Sequence, residues 1–596
     1  MSYTQIYLQT KASLWGTLGC IFLVGLSVPF PSLQEGLWAL ALMVLAIPLF
    51  LYRFSFLEWR KFKKRLSQRN LKTYSPQKFF KLLNGHRFAN SFLLGDGFAW
   101  SNEHCQAVHD LTTEMSGNLS NLSKEISASP KGGQGAGWIQ ALSAPKNILL
   151  PESEIFQHAL LAGCSGSGKT SALIALIAQA IAKDMCVLVI DPKGDNALFR
   201  SVQNFCTIAK REFNQFRLGH LEEATPINLL ANFSSFSEVA ARIGQILPGE
   251  TNDPFRKMGE AALRAVSGGL DLLGEKPTFK SLYDGLTNRM TFANCVMAKW
   301  LVSQGQNEEE LSCGRTSCET FDTLVGCCDQ LDEKPSELTA LIDYARKSDE
   351  RIDKTISAAK DFLAQLTVGE LGSLLSPSPS SGRNFLSIRK LIERNSVFYL
   401  GTDALQDVSL ARALSSLFLT DLASTAGDIY NYECGKKRKV LVVVDEASEA
   451  CCEALTSLLS KARGAGIGLV LATQSLEDFT ARLGSNSEKN RVLANISTRI
   501  VMRLQDTASC QFFSDQVART SIKTRSRTRT AANTSENLLL DGVSIGDREN
   551  VTIGVPMIAP DLYARLPKGE AFVICQGGRI FKIRIPFIHQ NEEHHD

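Results

Sequence analysis

Apolar positions along this chain change period several times, and each change marks an element. Two stretches are apolar and free of charge. No charged residue lies between Lys11 and Glu35, with Leu14 to Phe30 mostly apolar, and Gly36 to Tyr52 follows. Each approaches the roughly 20 residues that cross a bilayer, and Pro29, Pro31 and Ser32 supply a turn between them. Further on, short continuous apolar runs recur at Ala159–Ala162, Cys186–Ile190, Ser396–Leu400, Val440–Val444, Ile467–Ala472 and Arg499–Arg503. Such runs, lacking polar alternation, predict strands buried on both faces, as in parallel sheets. Apolar residues at helical spacing fill Val239–Leu247, Lys257–Leu273 and Glu337–Leu366, predicting helices through most of residues 235–375.

This order predicts an α/β fold: a unit with a parallel-rich central sheet, an inserted all-α domain and an N-terminal two-helix transmembrane hairpin. The expected boundaries are 1–56 for the hairpin and 57–150 for a juxtamembrane basic segment and linker. The sheet-bearing unit takes 151–234 and 391–590, the all-α insert 235–390, and a tail 591–596. Within the linker, Phe92–Trp100 reads as a strand and turn, whereas residues 116–137 are rich in Ser, Asn and Gly.

Charge orients the hairpin. Arg53, Arg60, Lys61, Lys63, Lys64, Arg65, Arg69 and Lys72 follow it with only Glu58 opposing. The positive-inside rule then puts the N-terminus and the C-terminal bulk in the cytoplasm, with two spans, and anionic lipid is partner enough for the basic run. The net charge of only +3 excludes a nucleic-acid binder that works through bulk charge. The cysteines are spread through apolar runs, which fits packed thiols in a reducing compartment. Cys313, Cys318, Cys327 and Cys328 lack paired knuckle spacing and a nearby histidine, so they read as thiols rather than a zinc site.

The octapeptide Gly163, Cys164, Ser165, Gly166, Ser167, Gly168, Lys169, Thr170 fits G-x-x-x-x-G-K-[ST]. A strand-like run leads in and a helix without Gly or Pro leads out, the context that distinguishes a P-loop from a chance string. Its glycines let successive N–H groups turn inward around phosphate, and the helix N-terminus adds partial positive charge. Lys169 is expected at the β- and γ-phosphates of ATP, and Thr170 on Mg2+.

Val440–Val444 ends in Asp445 and Glu446, a Walker B pattern. Asp445 is expected to hold Mg2+ and Glu446 to deprotonate the attacking water. Gln474 follows the strand ending at Thr473, where an amide can sense the γ-phosphate, position the water or merely cap the strand. Arg463 lies on the loop before that strand. It reads either as a solvated arginine or, in a ring, as a finger on a neighbour's nucleotide. No LSGGQ-like signature precedes the Walker B strand, which disfavours an ABC transporter. Lys523, Arg525, Arg527 and Arg529 alternate with Ser and Thr, as phosphate-contacting pore residues would, although a solvated loop explains them as well.

His158–Thr170, Val189–Gly194, Val444–Glu449 and Leu471–Ser475 resemble the type IV secretion coupling proteins of the TraD/TraG type. The likeness is greatest to the TraD-like coupling factors of integrative conjugative elements, and Gly95–Trp100, Gly464–Gly466, Asp478–Ser485 and Arg503–Asp506 add to it. The resemblance implies a RecA-like ATPase anchored in the bacterial inner membrane and assembled as a homo-hexamer. It also implies relaxosome proteins, relaxase-linked single-stranded DNA and type IV secretion channel components as partners. By the same resemblance the arginine finger falls at Arg463. An FtsK/HerA-like translocase and a nucleotide-binding docking receptor are the alternative readings.

Overall fold

The computed structural model describes residues 72–589 apart from 86–87, 116–134, 248–252, 307–315, 332, 348, 378–382, 405–406, 434, 436 and 532–542, together with residues 53 and 57. The expected hairpin, save Arg53, lies outside the described residues, as do the basic flank from Arg60 to Arg69 and the tail 591–596. Among the described residues no helix is long and apolar enough to cross a membrane.

The strands are β1 (Thr73–Tyr74), β2 (Ser91–Ala99), β3 (Lys146–Pro151), β4 (Ala159–Ala162), β5 (Cys186–Asp191), β6 (Phe213–Arg217), β7 (Val397–Gly401), β8 (Val440–Val444), β9 (Ile467–Thr473), β10 (Thr498–Val501), β11 (Arg519–Ala531), β12 (Val543–Pro556), β13 (Glu570–Ile574), β14 (Ile580–Arg584) and β15 (Phe587–Ile588). One 11-stranded sheet runs β3-β2-β14-β13-β10-β4-β9-β8-β5-β7-β6. From β10 to β6 its neighbours are parallel, and from β10 back to β3 they are antiparallel.

Helices cover both faces of the sheet, which is why its central strands are apolar at nearly every position before their C-terminal ends. Leu160, Ala162, Leu188 and Ile190 enter one buried cluster with helices Val408–Tyr432 and Glu453–Lys461 and the helical insert. Ala159, Leu161, Val187 and Val189 enter the other, with helices Lys169–Ala182 and Asn196–Ala209. The first of these two helices is buried without a break from Ala172 to Ile181, and apart from Gln179 that stretch is apolar all round rather than striped.

The sheet reaches upstream of Pro151, where the sequence pattern starts the nucleotide-binding unit, because β2 and β3 form its antiparallel edge. Close packing explains the Gly95–Gly97 pair. A Cβ at Gly95 would stand 2.2 Å from the Arg584 carbonyl oxygen, and one at Gly97 2.0 Å from that of Lys582.

The chain leaves the sheet after β6 and returns at β7, and the described residues between are mainly helical, from Phe236–Ile246 through Ile388–Glu393. The expected Glu337–Leu366 helix is two, Ser336–Arg346 and Asp349–Thr367, because Lys347 is extended at φ −65°, ψ 144°. Cys318, Cys327 and Cys328 share helix Ser317–Asp329. Cys313 lies outside the described residues. Among those described, no three His, Cys, Asp or Glu side chains group as metal ligands.

Candidate nucleotide site

β4 delivers the chain into the 163–168 loop, and helix Lys169–Ala182 leaves it. Gly166 and Gly168 take φ of 73° and 105°, the left-handed backbone that glycine adopts without a Cβ penalty. Three contacts fasten the loop from outside. Gly163 N–H donates to Thr473 O at 3.1 Å, Cys164 N–H to Arg503 O at 2.8 Å, and Gly569 N–H to Ser167 O at 2.8 Å. The loop is therefore held by the ends of β9 and β10 and by the turn before β13. Ser167 Oγ is buried with no hydrogen-bond partner among the described residues. Such an orphan is costly unless a ligand or water answers it.

β8 ends at Val444, and the next two residues turn into the space above the loop. Asp445 N–H bonds Ile190 O at 2.9 Å, continuing the ladder to β5. Glu446 sits at φ 48°, outside ordinary strand geometry. Its Oε1 accepts from three side chains: Lys193 Nζ at 2.5 Å, Gln474 Nε2 at 2.7 Å and Lys169 Nζ at 3.4 Å. Lys169 also donates to Gly163 O at 2.8 Å.

The electrostatics follow from burial. Burial acts to raise the Glu446 carboxyl, but the Lys193 hydrogen bond, the Lys169 charge and the Gln474 amide outweigh it and hold the group below the usual range. Burial lowers the Lys169 ammonium, with Glu446 and Asp445 resisting. Asp445 is pushed up to about 6, by burial first and then by the Asp191 and Glu446 charges. Asp191 is raised by burial, with the Tyr399 hydroxyl at 2.5 Å partly compensating.

The structure thus brings together Lys169, Glu446 and Gln474, with Asp445 beside them and the half-buried Thr170 in the first helical turn. Arg463 is exposed in the turn Ala462–Ala465 before β9. The P-loop follows the C-terminal end of the parallel strand β4, so Arg463 stands at the opposite sheet edge from its own chain's loop. Lys193 and Asp191 belong to the cluster, yet sequence reasoning gave them no role. The signal was Asp191-Pro-Lys-Gly194 at the end of a buried strand. The basic segment 523–529 lies on β11, whose antiparallel register sets Arg525 opposite Glu549 and Arg527 opposite Asp547. Lys523 Nζ meets Glu549 Oε1 at 2.8 Å. The Lys523 ammonium is thus already paired with an acid.

A hydroxyl and a carboxylate beside a glycine loop form a hard-oxygen set that suits Mg2+. Asp445 carries a burial penalty that a cation would relieve. The residues fit both ligands of the sequence expectation.

Two family models match the chain. "Type IV secretion-system coupling protein DNA-binding domain" covers residues 144–201, and "TraM recognition site of TraD and TraG" covers residues 439–568. No curated protein sequence matches. Among solved structures, the chain is similar to the bacterial conjugative coupling protein TrwBdeltaN70 in its unbound monoclinic form (14% identity, TM-score 0.48, covering 74% of this chain and 88% of that one). It is also similar to the plasmid coupling protein TrwB in complex with ADP and Mg2+ (15%, 0.47, 74% and 87%). VirB4 of Thermoanaerobacter pseudethanolicus scores lower (14%, 0.40, 74% and 93%). At these scores the structural likenesses carry no residue assignment.

Proposed function

We propose that this chain, which belongs to the type IV secretion coupling proteins of the TraD/TraG type, is an ATPase that recruits relaxase-bound DNA and drives it into a type IV secretion channel. One observation carries the chemical half of this reading. Three N–H donors converge on Glu446 Oε1 at the mouth of a glycine loop. A base, a phosphate-reading lysine and a polar amide thereby share one small volume.

The chain's own residues divide the work. The 163–168 loop cradles phosphate with backbone N–H groups, and the helix that starts at Lys169 presents its positive end to them. Lys169 needs only to exchange its Gly163 and Glu446 contacts for phosphate oxygens. Glu446 accepts the proton of the attacking water, and Gln474 orients the acid or that water. Thr170 and Asp445 would hold Mg2+, which when bound neutralises charge on the phosphate oxygens.

Further parts of the proposal concern assembly. The chain works as a homo-hexamer in the bacterial inner membrane, anchored by the two spans expected in residues 1–56. Arg463, exposed and remote from its own loop, acts on a neighbour's nucleotide as an arginine finger. Relaxosome proteins, single-stranded DNA and channel components are the partners. The two family matches favour this over an FtsK/HerA-like segregation translocase or a passive docking receptor. DNA transfer from donor cells carrying Lys169→Ala tests the proposal. Transfer should be lost while the protein stays in the membrane fraction, and normal transfer would refute the motor.

A further inference from the structure

The mechanism leaves Lys193 without a task, although it makes the shortest contact at the acid. Its ammonium lies 2.5 Å from Glu446 Oε1, and its side chain is 47% exposed while that of Glu446 is 7% exposed. The loop that carries it is held stiffly. Asp191 accepts from Lys193 N–H at 2.9 Å, from Asp195 N–H at 2.7 Å and from the Tyr399 hydroxyl at 2.5 Å.

The same loop is tied to the residues that follow β7 and, through them, to the chain where it leaves the sheet toward the helical insert. Thr402 N–H donates to Asp191 O at 3.2 Å and Ala404 N–H to Pro192 O at 2.7 Å, and both residues follow β7. Asp403 closes over Gly194, where a Cβ would stand 1.9 Å from its Oδ1. Its Oδ2 accepts from Gly219 N–H at 2.8 Å, just after β6. The insert leaves the sheet after β6 and returns at β7. The insert's point of departure after β6 is therefore joined, through Asp403 and the residues that follow β7, to the turn that aims Lys193.

We infer that Lys193 is a positioning residue that latches Glu446 in a resting orientation, and that movement of the insert's departure point after β6 when cargo binds releases the latch. The inference rests on the proposed role of Glu446 toward water. Three N–H donors on Oε1 fix the carboxylate's orientation and stabilise its charge against taking up a water proton. Lys169 has phosphate to go to, and Gln474 is neutral. Lys193 is the charged donor that stays unless its loop shifts. Contiguous contacts from Gly219 through Asp403 to the loop and the acid supply the physical connection that such coupling requires.

The test compares ATP turnover by the full-length chain, Lys193→Met and Lys193→Arg, with and without single-stranded DNA. Lys193→Met should raise the DNA-free kcat about tenfold, the lower end of what one charge-assisted hydrogen bond is worth. KM should change little, and stimulation by DNA should shrink in proportion. Lys193→Arg, which keeps the charge, should restore a low DNA-free rate. A DNA-free kcat for Lys193→Met at or below that of the parent chain overturns the latch, as does a raised KM at unchanged kcat. If the parent chain shows no ATP turnover at all, the proposed function falls with it. If the parent is DNA-stimulated and Lys193→Met copies it, the latch alone fails.

Discussion

Gln474 Nε2 donates to Glu446 Oε1 at 2.7 Å, joining the residue after β9 to the residue pair that follows β8. The two strands are parallel neighbours, and Val444 pairs with Leu471. The register alone therefore brings the amide and the acid to the same edge of the sheet. In an open α/β sheet that edge is where ligands bind.

Glu446→Gln is expected to keep nucleotide binding and lose turnover. The amide replaces the proton acceptor at nearly the same size, so ATP should remain bound, with kcat down by about 10²–10⁴. Nucleotide binding and steady-state hydrolysis on the same preparation check this. Rapid turnover would remove Glu446 from the role of base.

Gly163→Ala should damage the loop more than Gly166→Ala. At Gly163 a Cβ would stand 2.7 Å from Ser167 Oγ and 2.9 Å from Met502 Cβ, whereas at Gly166 nothing lies within 4 Å. Overpacking of this kind costs about 1–3 kcal/mol. The left-handed φ at Gly166 alone costs about 1–2 kcal/mol. Thermal melts and nucleotide titrations of the two variants should separate packing from backbone strain, with the larger loss of nucleotide affinity at Gly163→Ala.

His158 ties stability to pH. Burial lowers its imidazole to about 4, and Nδ1 accepts from Leu469 N–H at 3.1 Å, which requires the neutral ring. Its folded pKa lies below the unfolded value, so its contribution is complete above about 6.5 and is lost as pH falls toward 4. The loss should reach about 2 kcal/mol by pH 5. His158→Asn keeps an acceptor and tolerates the positive φ of 66° at this position. Melts at pH 7 and pH 5 should show a smaller drop for the variant than for the parent chain, and equal drops would contradict this account.

Arg463 makes the proposed ring testable. Arg463→Ala subunits retain their own 163–170 loop, and Lys169→Ala subunits retain the arginine. If the finger acts between copies, verified mixed assemblies should regain part of the ATP turnover that each pure variant lacks. Mixed rings with no recovery would count against a shared site.

The parts legible in the sequence are those where one stretch carries its own context. The 163–170 loop sits between an apolar strand and an apolar helix, and Asp445 and Glu446 end an unbroken aliphatic run. The excursion between β6 and β7 showed through its helical periodicity. Lys193 was hidden because its significance is a contact with a residue far along the chain. So were the Gly569 and Arg503 backbone groups that fasten the loop, since backbone atoms leave no residue signature. β6 escaped notice because Phe213-Asn-Gln-Phe-Arg217 is polar enough for an edge strand and has no continuous apolar run. The Gly95–Gly97 pair was visible, but its reason, the close approach of β14, was not.

The central claim is that nucleotide held by the P-loop is hydrolysed through Glu446 to move DNA. Its most direct test is steady-state ATP hydrolysis by the purified full-length chain, measured with and without single-stranded DNA, beside Lys169→Ala and Glu446→Gln. The account predicts turnover that single-stranded DNA stimulates in the parent chain and that both substitutions abolish. Turnover indifferent to DNA, or surviving both substitutions, would contradict it.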